Sequence, residues 1–146
     1  MGLRIKTFKE LTTRELYEIL RLRSKVFIVE QGGRYQDLDQ IDYDSIHIFY
    51  VDENEEVGGC IRIFPKEDEK GTVQLGRLVV DKRNQGMGRK LMECAKKTAK
   101  ERYGAEQLYL TGRKSALGFY LKCGYHEDSE ELFAGEVPYY KLRSSI

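Results

Sequence analysis

A basic, glycine-spaced segment near the middle of the chain carries the residue types of an anion-binding site. The apolar residues 78–80 are followed by Gly86 and Gly88, which leave the backbone uncovered. If a helix begins here, its first turn has backbone N–H groups without intrahelical acceptors, and the helix dipole adds positive potential. A phosphate suits such a site, although a helix that merely begins after a glycine turn would give the same pattern. The surrounding cations are Lys82, Arg83, Arg89 and Lys90.

The spacing excludes two common phosphate-binding loops. A Walker A loop requires Gly-x-x-x-x-Gly-Lys followed by Ser or Thr, and no glycine of this chain begins such a run. A dinucleotide-binding fingerprint needs a third glycine where Leu91 stands, and it usually lies in the first βα turn of a domain. The pattern that remains is Arg83-x-x-Gly86-x-Gly88.

Strand and helix patterns alternate around this segment. Residues 74–80 predict a strand whose alternation breaks near its end, which indicates either burial on both faces or a bulge. An amphipathic helix follows and should end near Gly104. A short apolar strand over residues 107–111 precedes a second helix, which Ser115 could cap and Gly124 should end.

These segments resemble the GNAT acetyltransferases. Arg83-x-x-Gly86-x-Gly88 is similar to the Arg/Gln-x-x-Gly-x-Gly/Ala signature that binds the pyrophosphate of acetyl-CoA in that family. Residues 116–125, with Tyr120 ahead of the Gly124-Tyr125 pair, are similar to a second family motif. The resemblance implies an α+β, three-layer α/β/α GNAT fold, with helices on both faces of a mostly antiparallel mixed sheet. It also implies transfer of an acetyl group from acetyl-CoA to an amine of a small molecule or a peptide.

The rest of the chain predicts the remaining strands of one domain over residues 1–146. Strands are expected at residues 4–8, 46–51, 57–64 and 137–142, and a helix should begin at Thr12 or Thr13 and end at residues 31–34. A chain of this length, with no Pro- or Ser-rich linker, can bury about 70% of its unfolded surface in a single core.

A second resemblance narrows the branch of the family. Residues 23–31, followed by Tyr35, Asp39, Asp42 and residues 45–47, are similar to the ElaA-like group. Residues 32–35 depart from the Cys-Pro-Tyr-like segment usual there, and residues 136–139 depart from a Gly-Ile-Pro-His segment. Both departures fall where an acceptor substrate would bind.

The predicted reaction is attack of a neutral amine on a thioester, which needs an oxyanion donor, an acid and a base. By resemblance, the N–H of Leu78 stabilises the oxyanion and Tyr120 acts as the general acid, although Tyr120 could instead be a core tyrosine. Gln74 occupies the strand position of the glutamate base of histone-acetylating members and cannot accept a proton. Glu30 and His47, acting through water, are the candidate bases, and each could instead be structural. The predicted cofactor-binding residues are Leu78, Val79, Val80, Arg83, Asn84, Gln85, Gly86, Met87, Gly88, Arg89 and Tyr120.

Carboxylates concentrate between the first helix and the second strand. Because the cofactor segment is basic, this acidic region predicts a small cationic amine as acceptor, bound by Glu30, Asp39 and Asp42. A solvated acidic loop is the alternative. The carboxylates in question are Glu30, Asp37, Asp39, Asp42 and Asp44.

Composition limits the other classes of function. The 25 Lys and Arg residues nearly balance 24 Asp and Glu residues, so no nucleic-acid partner is expected. Three cysteines and two histidines predict no disulfide framework and no metal site. The lack of a long apolar run and of a signal peptide predicts a cytoplasmic protein without a membrane partner, and a homodimer is compatible with this. A non-catalytic acyl-CoA-binding or sensing module is the alternative function, and a structural domain without a CoA site is the third.

Overall fold

Eight strands and three α-helices lie within residues 2–82 and 86–146, the part of the chain that the computed structural model describes. A π-helix, Ser24–Glu30, extends the first α-helix, and short 3₁₀ turns occupy Phe8–Glu10, Ile41–Asp44 and Lys114–Ala116. The α-helices are α1 (Thr13–Arg23), α2 (Met87–Tyr103) and α3 (Leu117–Lys122). The strands are β1 (Gly2–Thr7), β2 (Ile46–Val51), β3 (Val57–Pro65), β4 (Thr72–Val80), β5 (Gln107–Arg113), β6 (His126–Glu127), β7 (Leu132–Ala134) and β8 (Val137–Ser145).

The chain divides into two compact units, and β4 and α2 contribute residues to both. The first unit comprises the described residues up to 64 together with 77–95, and the second comprises 65–76 together with 96–146. A single domain over the whole chain therefore stays a prediction.

In the first unit, β1 pairs antiparallel with β2, and β2 pairs antiparallel with β3. Helix α1 packs on these strands through Ile19 and Leu22, which lie in one apolar cluster with Phe49, Val51, Val57, Cys60 and Val79. Of the two predicted candidates, Thr12 caps α1: its hydroxyl accepts from the N–H of Glu15 at 3.1 Å, and the Glu15 carboxylate accepts from the N–H of Thr12 at 2.8 Å.

The helix expected to run to residue 31 changes its winding after Arg23. From Ser24 it continues as a π-helix, in which the N–H of Gln31 donates to the carbonyl of Val26 at 2.9 Å, five residues back. Side-chain periodicity could not show this change, because apolar residues continue through the segment. Wide turns of this kind occur often at functional sites.

In the second unit, β4 pairs parallel with β5, and β8 pairs antiparallel with β5, β6 and β7. The parallel register covers three residue pairs, from Thr72–Gln107 to Gln74–Tyr109, whereas the register between β5 and β8 covers seven. Leu75 lies beyond the register between β4 and β5. The strands of the two units therefore confirm the expected α+β class with a mixed, mostly antiparallel sheet.

Helix ends follow the glycine signals but not the serine signal. Gly104, at φ +62°, follows the last residue of α2, and Gly124, at φ +94°, lies two residues beyond α3, as predicted. The prediction that Ser115 caps α3 is wrong, because Ser115 lies inside a 3₁₀ turn and Ala116 precedes the helix without a side-chain cap. Strands β4, β5 and β8 are longer than predicted, and the three residues added to β8 are polar, which hides the alternation there. Strand β1 ends at Thr7, one residue before its predicted end.

Candidate active site

The end of β4 presents two half-buried residues on one face and one buried residue on the other. Val79 is buried in the apolar cluster of the first unit, whereas Leu78 and Val80 are half-buried. Directly before them, Arg77 has φ +53°, the left-handed region, which costs a residue with a Cβ about 1–2 kcal/mol. This irregularity favours the bulge over burial on both faces as the reason for the broken alternation. The main-chain groups of Leu78 and Val80 consequently point to the same side.

Helix α2 starts after β4 at a position that is open to solvent. The N–H of Asp81 donates to the carbonyl of Gly58 at 2.9 Å, which holds Asp81 against β3. Gly86 has φ +80° and is exposed, and a Cβ there would meet no heavy atom within 4 Å. Helix α2 begins at the next residue, with Met87 buried and Arg89 exposed. The predicted ligands Arg83, Asn84 and Gln85 lie outside the described residues.

Tyr120 lies in the second unit, on α3, in contact with β5. A Cβ added to Gly112 would lie 2.7 Å from Cε2 of Tyr120, so the aromatic ring rests directly on the backbone of β5. The ring also makes an edge contact with Phe119, with centroids 5.3 Å apart. Burial raises the pKa of Tyr120 to about 12, which keeps the hydroxyl protonated at neutral pH. Tyr120 is thus a half-buried residue whose hydroxyl stays protonated and can donate a hydrogen bond.

The two candidate bases differ in accessibility. His47 is 2% exposed, and its Nε2 lies 2.9 Å from the backbone carbonyl of Asp42, so that nitrogen carries the proton and donates. Burial lowers the pKa of His47, which favours the neutral imidazole. Glu30, the last residue of the π-helix, is exposed.

Asp39 and Asp42 lie in a cluster that sequence reasoning did not foresee. Burial raises the pKa of Asp39, but the guanidinium of Arg62 outweighs it and holds the pKa at about 2. Burial likewise opposes ionisation of Asp42, and Arg23 more than compensates, so its pKa is lowered. Both groups are therefore ionised and paired. We call the full set the arginine–aspartate cluster: Arg23, Arg62, Arg77, Asp37, Asp39 and Asp42.

Each arginine of the cluster bridges two aspartates. Arg23 contacts Asp37 at 2.8 Å and Asp42 at 2.7 Å. Arg62 contacts Asp39 at 2.6 Å and Asp42 at 3.1 Å. Arg77 contacts Asp37 at 2.7 Å and Asp39 at 3.2 Å. Three positive charges thus balance three negative ones.

The sequence held a signal for this cluster that the prediction did not use. Arg62 stands between two isoleucines of a strand that is otherwise apolar. Arg23 shares its predicted helix face with the apolar residues three and four positions away, Ile19, Leu20, Val26 and Phe27. A charged residue inside an apolar run is seldom buried without a partner. The structure thus brings Asp39, Asp42 and His47 together, whereas Glu30 makes no described contact with them. Leu78 and Tyr120 belong to different units.

The described residues show neither a membrane-spanning helix nor a metal-binding group. Within residues 2–82 and 86–146, no helix has the length and apolar character needed to cross a membrane. The same residues contain no group of three or more His, Cys, Asp or Glu side chains placed to hold a metal ion.

The contact between Gly112 and Tyr120 generates a prediction. Gly112→Ala should lower the free energy of unfolding by about 1–3 kcal/mol, because the added methyl group displaces the Tyr120 ring. Gly118→Ala, in α3 itself, should be neutral or stabilising by up to about 1 kcal/mol, because a Cβ there meets nothing within 4 Å. Urea unfolding of both variants measures the difference, and equal free energies would contradict the packing.

Comparison with known proteins identifies the family. The family model described as the acetyltransferase (GNAT) family matches residues 13–125. A UPF0039 protein of Schizosaccharomyces pombe is 33% identical over 144 residues, covering 97% of this chain and 95% of that protein. ElaA of Escherichia coli is 31% identical over 141 residues, covering 94% of this chain and 92% of ElaA.

Solved structures agree with the sequence comparisons. The crystal structure of Escherichia coli ElaA matches with a TM-score of 0.89 at 28% identity, covering 98% of each chain. An acyl-CoA N-acyltransferase from Pseudomonas aeruginosa matches with a TM-score of 0.90 at 27% identity, covering 99% of this chain and 100% of the other. The family model and these relatives cover most of the sequence, and the chain belongs to the GNAT acetyltransferase family, in its ElaA-like branch.

Proposed function

We propose that this protein transfers an acetyl group from acetyl-CoA directly to an amine, without a covalent enzyme intermediate. Family membership supports acyl transfer in general. The observation that supports this function most strongly is the end of β4, where a left-handed residue precedes the half-buried Leu78 and Val80. A bulge interrupts the regular strand pairing at this point, so that backbone groups can pair with an extended ligand.

The donor binds along β4 and the start of α2 in this proposal. The main chain of Leu78 and Val80 pairs with the pantetheine arm, and Val79 lies between them in the same donor-binding segment. The pyrophosphate lies against the first turn of α2, where Gly86 leaves room for it and backbone N–H groups point outward. Exposed cations nearby add screened attraction. The remaining donor ligands are Arg83, Asn84, Gln85, Met87, Gly88 and Arg89.

Transfer requires one bond to form and one to break. The amine nitrogen attacks the thioester carbonyl carbon, the N–H of Leu78 stabilises the oxyanion, and the C–S bond then breaks. Tyr120 donates a hydrogen bond to the departing thiolate. Full proton transfer from a phenol of pKa about 12 to a thiolate of ordinary pKa about 8.5 is unfavourable, so the proton comes finally from the ammonium formed on the acceptor.

Glu30 is the base that we propose for removing, through water, the extra proton of the acceptor ammonium before the neutral amine attacks. His47 is less suited, because it is buried and already donates from Nε2 to Asp42. An exposed carboxylate can exchange protons with water without this obstacle.

The carboxylates that led us to predict a cationic acceptor are less available than the sequence suggests. Asp37, Asp39 and Asp42 are each paired with arginines, so these three carboxylates offer little net negative potential to a cationic amine. Direct binding of a cationic acceptor by Asp39 or Asp42 stays a prediction, and the ion pairs argue against it. We therefore propose an amine acceptor without restriction to cations.

Thiol release from acetyl-CoA, measured against a panel of cationic, neutral and anionic amines, tests the function. We expect release of CoA together with an N-acetylated product, identified by mass spectrometry, for at least one amine class. A CoA-dependent rise in Tm without turnover of any amine would contradict catalysis and favour acyl-CoA sensing.

Two glycines that flank α2 provide a matched pair for the donor site. Gly86 and Gly104 both have positive φ, +80° and +62°, and a Cβ at either meets nothing within 4 Å. Gly86→Val and Gly104→Val should therefore carry similar backbone strain, of about 1–2 kcal/mol. Gly86→Val alone should abolish the Tm rise caused by CoA. Equal CoA responses in the two variants would exclude the proposed pyrophosphate site.

Tyr120→Phe should lower kcat by about 10–100-fold with little change in CoA affinity, because only the hydrogen bond to the thiolate is lost. Tyr125→Phe is the control. Its hydroxyl is also buried and has no hydrogen-bond partner among the described residues, so its removal should be neutral or stabilising. Because burial holds the pKa of Tyr120 at about 12, wild-type kcat should show no decline from tyrosine ionisation below about pH 10. Normal turnover by Tyr120→Phe would make Tyr120 a packing residue.

The role of Glu30 predicts a pH dependence. An alkylamine has a pKa near 10.4, so at neutral pH it depends on a base to become nucleophilic. Glu30→Gln should lower kcat/KM for the amine at pH 7 and have progressively less effect as the pH approaches 10. A constant ratio between wild type and variant across pH 7–10 would remove Glu30 from this step.

A further inference from the structure

We propose that Arg77 is a positioning residue for acyl transfer, whose side-chain ion pairs hold β4 in the backbone conformation that orients the N–H of Leu78. This inference rests on the proposed function, because it assigns Leu78 a catalytic main-chain group. Arg77 itself need not touch either substrate.

The first observation is where the strained residue lies. Four residues other than glycine have positive φ in the described chain: Gln40, Glu55, Asp68 and Arg77. The first three lie in turns and bends, where a left-handed residue reverses the chain. Arg77 lies inside a strand and precedes Leu78 directly. A left-handed residue with a Cβ persists at such a place only if its surroundings hold it there.

The second observation is what holds it. The Nη2 of Arg77 donates to the Asp37 carbonyl at 3.1 Å and to Oδ2 of Asp39 at 3.2 Å. Its Nε also lies 2.7 Å from Oδ1 of Asp37, a close ion pair without the alignment of a hydrogen bond. The guanidinium also lies over the ring of Tyr35, 5.5 Å from its centroid. A planar, multidentate cation fixed at several points restrains the backbone that carries it more than a single ion pair would.

The third observation is that the two aspartates bound to Arg77 are themselves held in place by other arginines. Asp37 is also bound by Arg23, and Asp39 is also bound by Arg62. The side chains of Arg23 and Arg62 are only 1% and 4% exposed. The aspartates therefore cannot follow Arg77 if β4 relaxes, and the relaxation is opposed. Without these contacts, residue 77 would favour the β region, and the peptide that carries the N–H of Leu78 would turn with it.

Substitutions at position 77 separate backbone positioning from charge pairing. Arg77→Ala removes the guanidinium and keeps the Cβ, so kcat should fall by at least about tenfold. Arg77→Gly also removes the guanidinium, but glycine adopts positive φ without strain, so kcat should recover to within about threefold of wild type. Arg77→Lys keeps a charge for the aspartates but lacks the planar fork, so it should unfold less easily than Arg77→Gly and yet turn over more slowly.

The predicted kcat is thus highest for wild type, lower for Arg77→Gly and lowest for Arg77→Lys. The predicted free energy of unfolding is highest for wild type, lower for Arg77→Lys and lowest for Arg77→Gly. A residue that served only for stability would give one order for both quantities. Arg4, on β1, is the control, since it pairs with the buried Glu15 and its φ is not positive. Arg4→Gly should have a free energy of unfolding no higher than that of Arg4→Ala, and both variants should keep the wild-type kcat.

A readout without turnover separates this inference from the proposed function. In ¹H–¹⁵N spectra of the ligand-free protein, the Leu78 amide resonance should move in Arg77→Ala and return towards its wild-type position in Arg77→Gly. Loss of catalysis in wild type would overturn the function but not this backbone effect. Equal Leu78 shifts in the Ala and Gly variants, or kcat for Gly at or below that for Ala, would overturn the inference.

Discussion

The ion pairing of three buried or half-buried arginines with three aspartates is the interaction on which the first unit depends. Removal of one partner from a buried pair typically costs about 3–5 kcal/mol, because the other charge is left without compensation. Here each aspartate has two arginine partners, so the loss of any one charge unbalances the whole set. The cluster joins the loop after the π-helix to α1, β3 and β4, and thereby fixes backbone as well as side chains.

The arginine–aspartate cluster, the backbone of β4 and the packing of Tyr120 have different physical roles. The aspartates are paired with arginines, so in the proposed function the recognition of an acceptor depends on shape and hydrogen bonding more than on net potential. The proposed donor site depends on main-chain groups of β4 and of the start of α2. Tyr120, in the second unit, is fixed by packing: Gly112 has no side chain, and the ring occupies the space that one would take. Burial then keeps its hydroxyl protonated.

The sequence predicted those features that local interactions determine. Thr12 and Glu15 are three residues apart and close a capping box regardless of the rest of the chain, and Gly104 and Gly124 mark helix ends by a left-handed backbone. The cluster was not predicted because its partners are distant in sequence: Asp39 and Arg62 are 23 positions apart. The π-helix escaped because it changes backbone winding and not composition. The prediction that Ser115 caps α3 was wrong because a 3₁₀ turn uses the same residue types as a helix start.

An NMR titration with CoA tests the central claim, that β4 and the start of α2 bind the acyl donor through their main chain. ¹H–¹⁵N spectra of the labelled protein follow each amide as CoA is added. The account predicts the largest shifts at the amides of Leu78, Val80, Gly86 and Gly88. Saturable shifts confined to other residues, with these four unchanged, would contradict it.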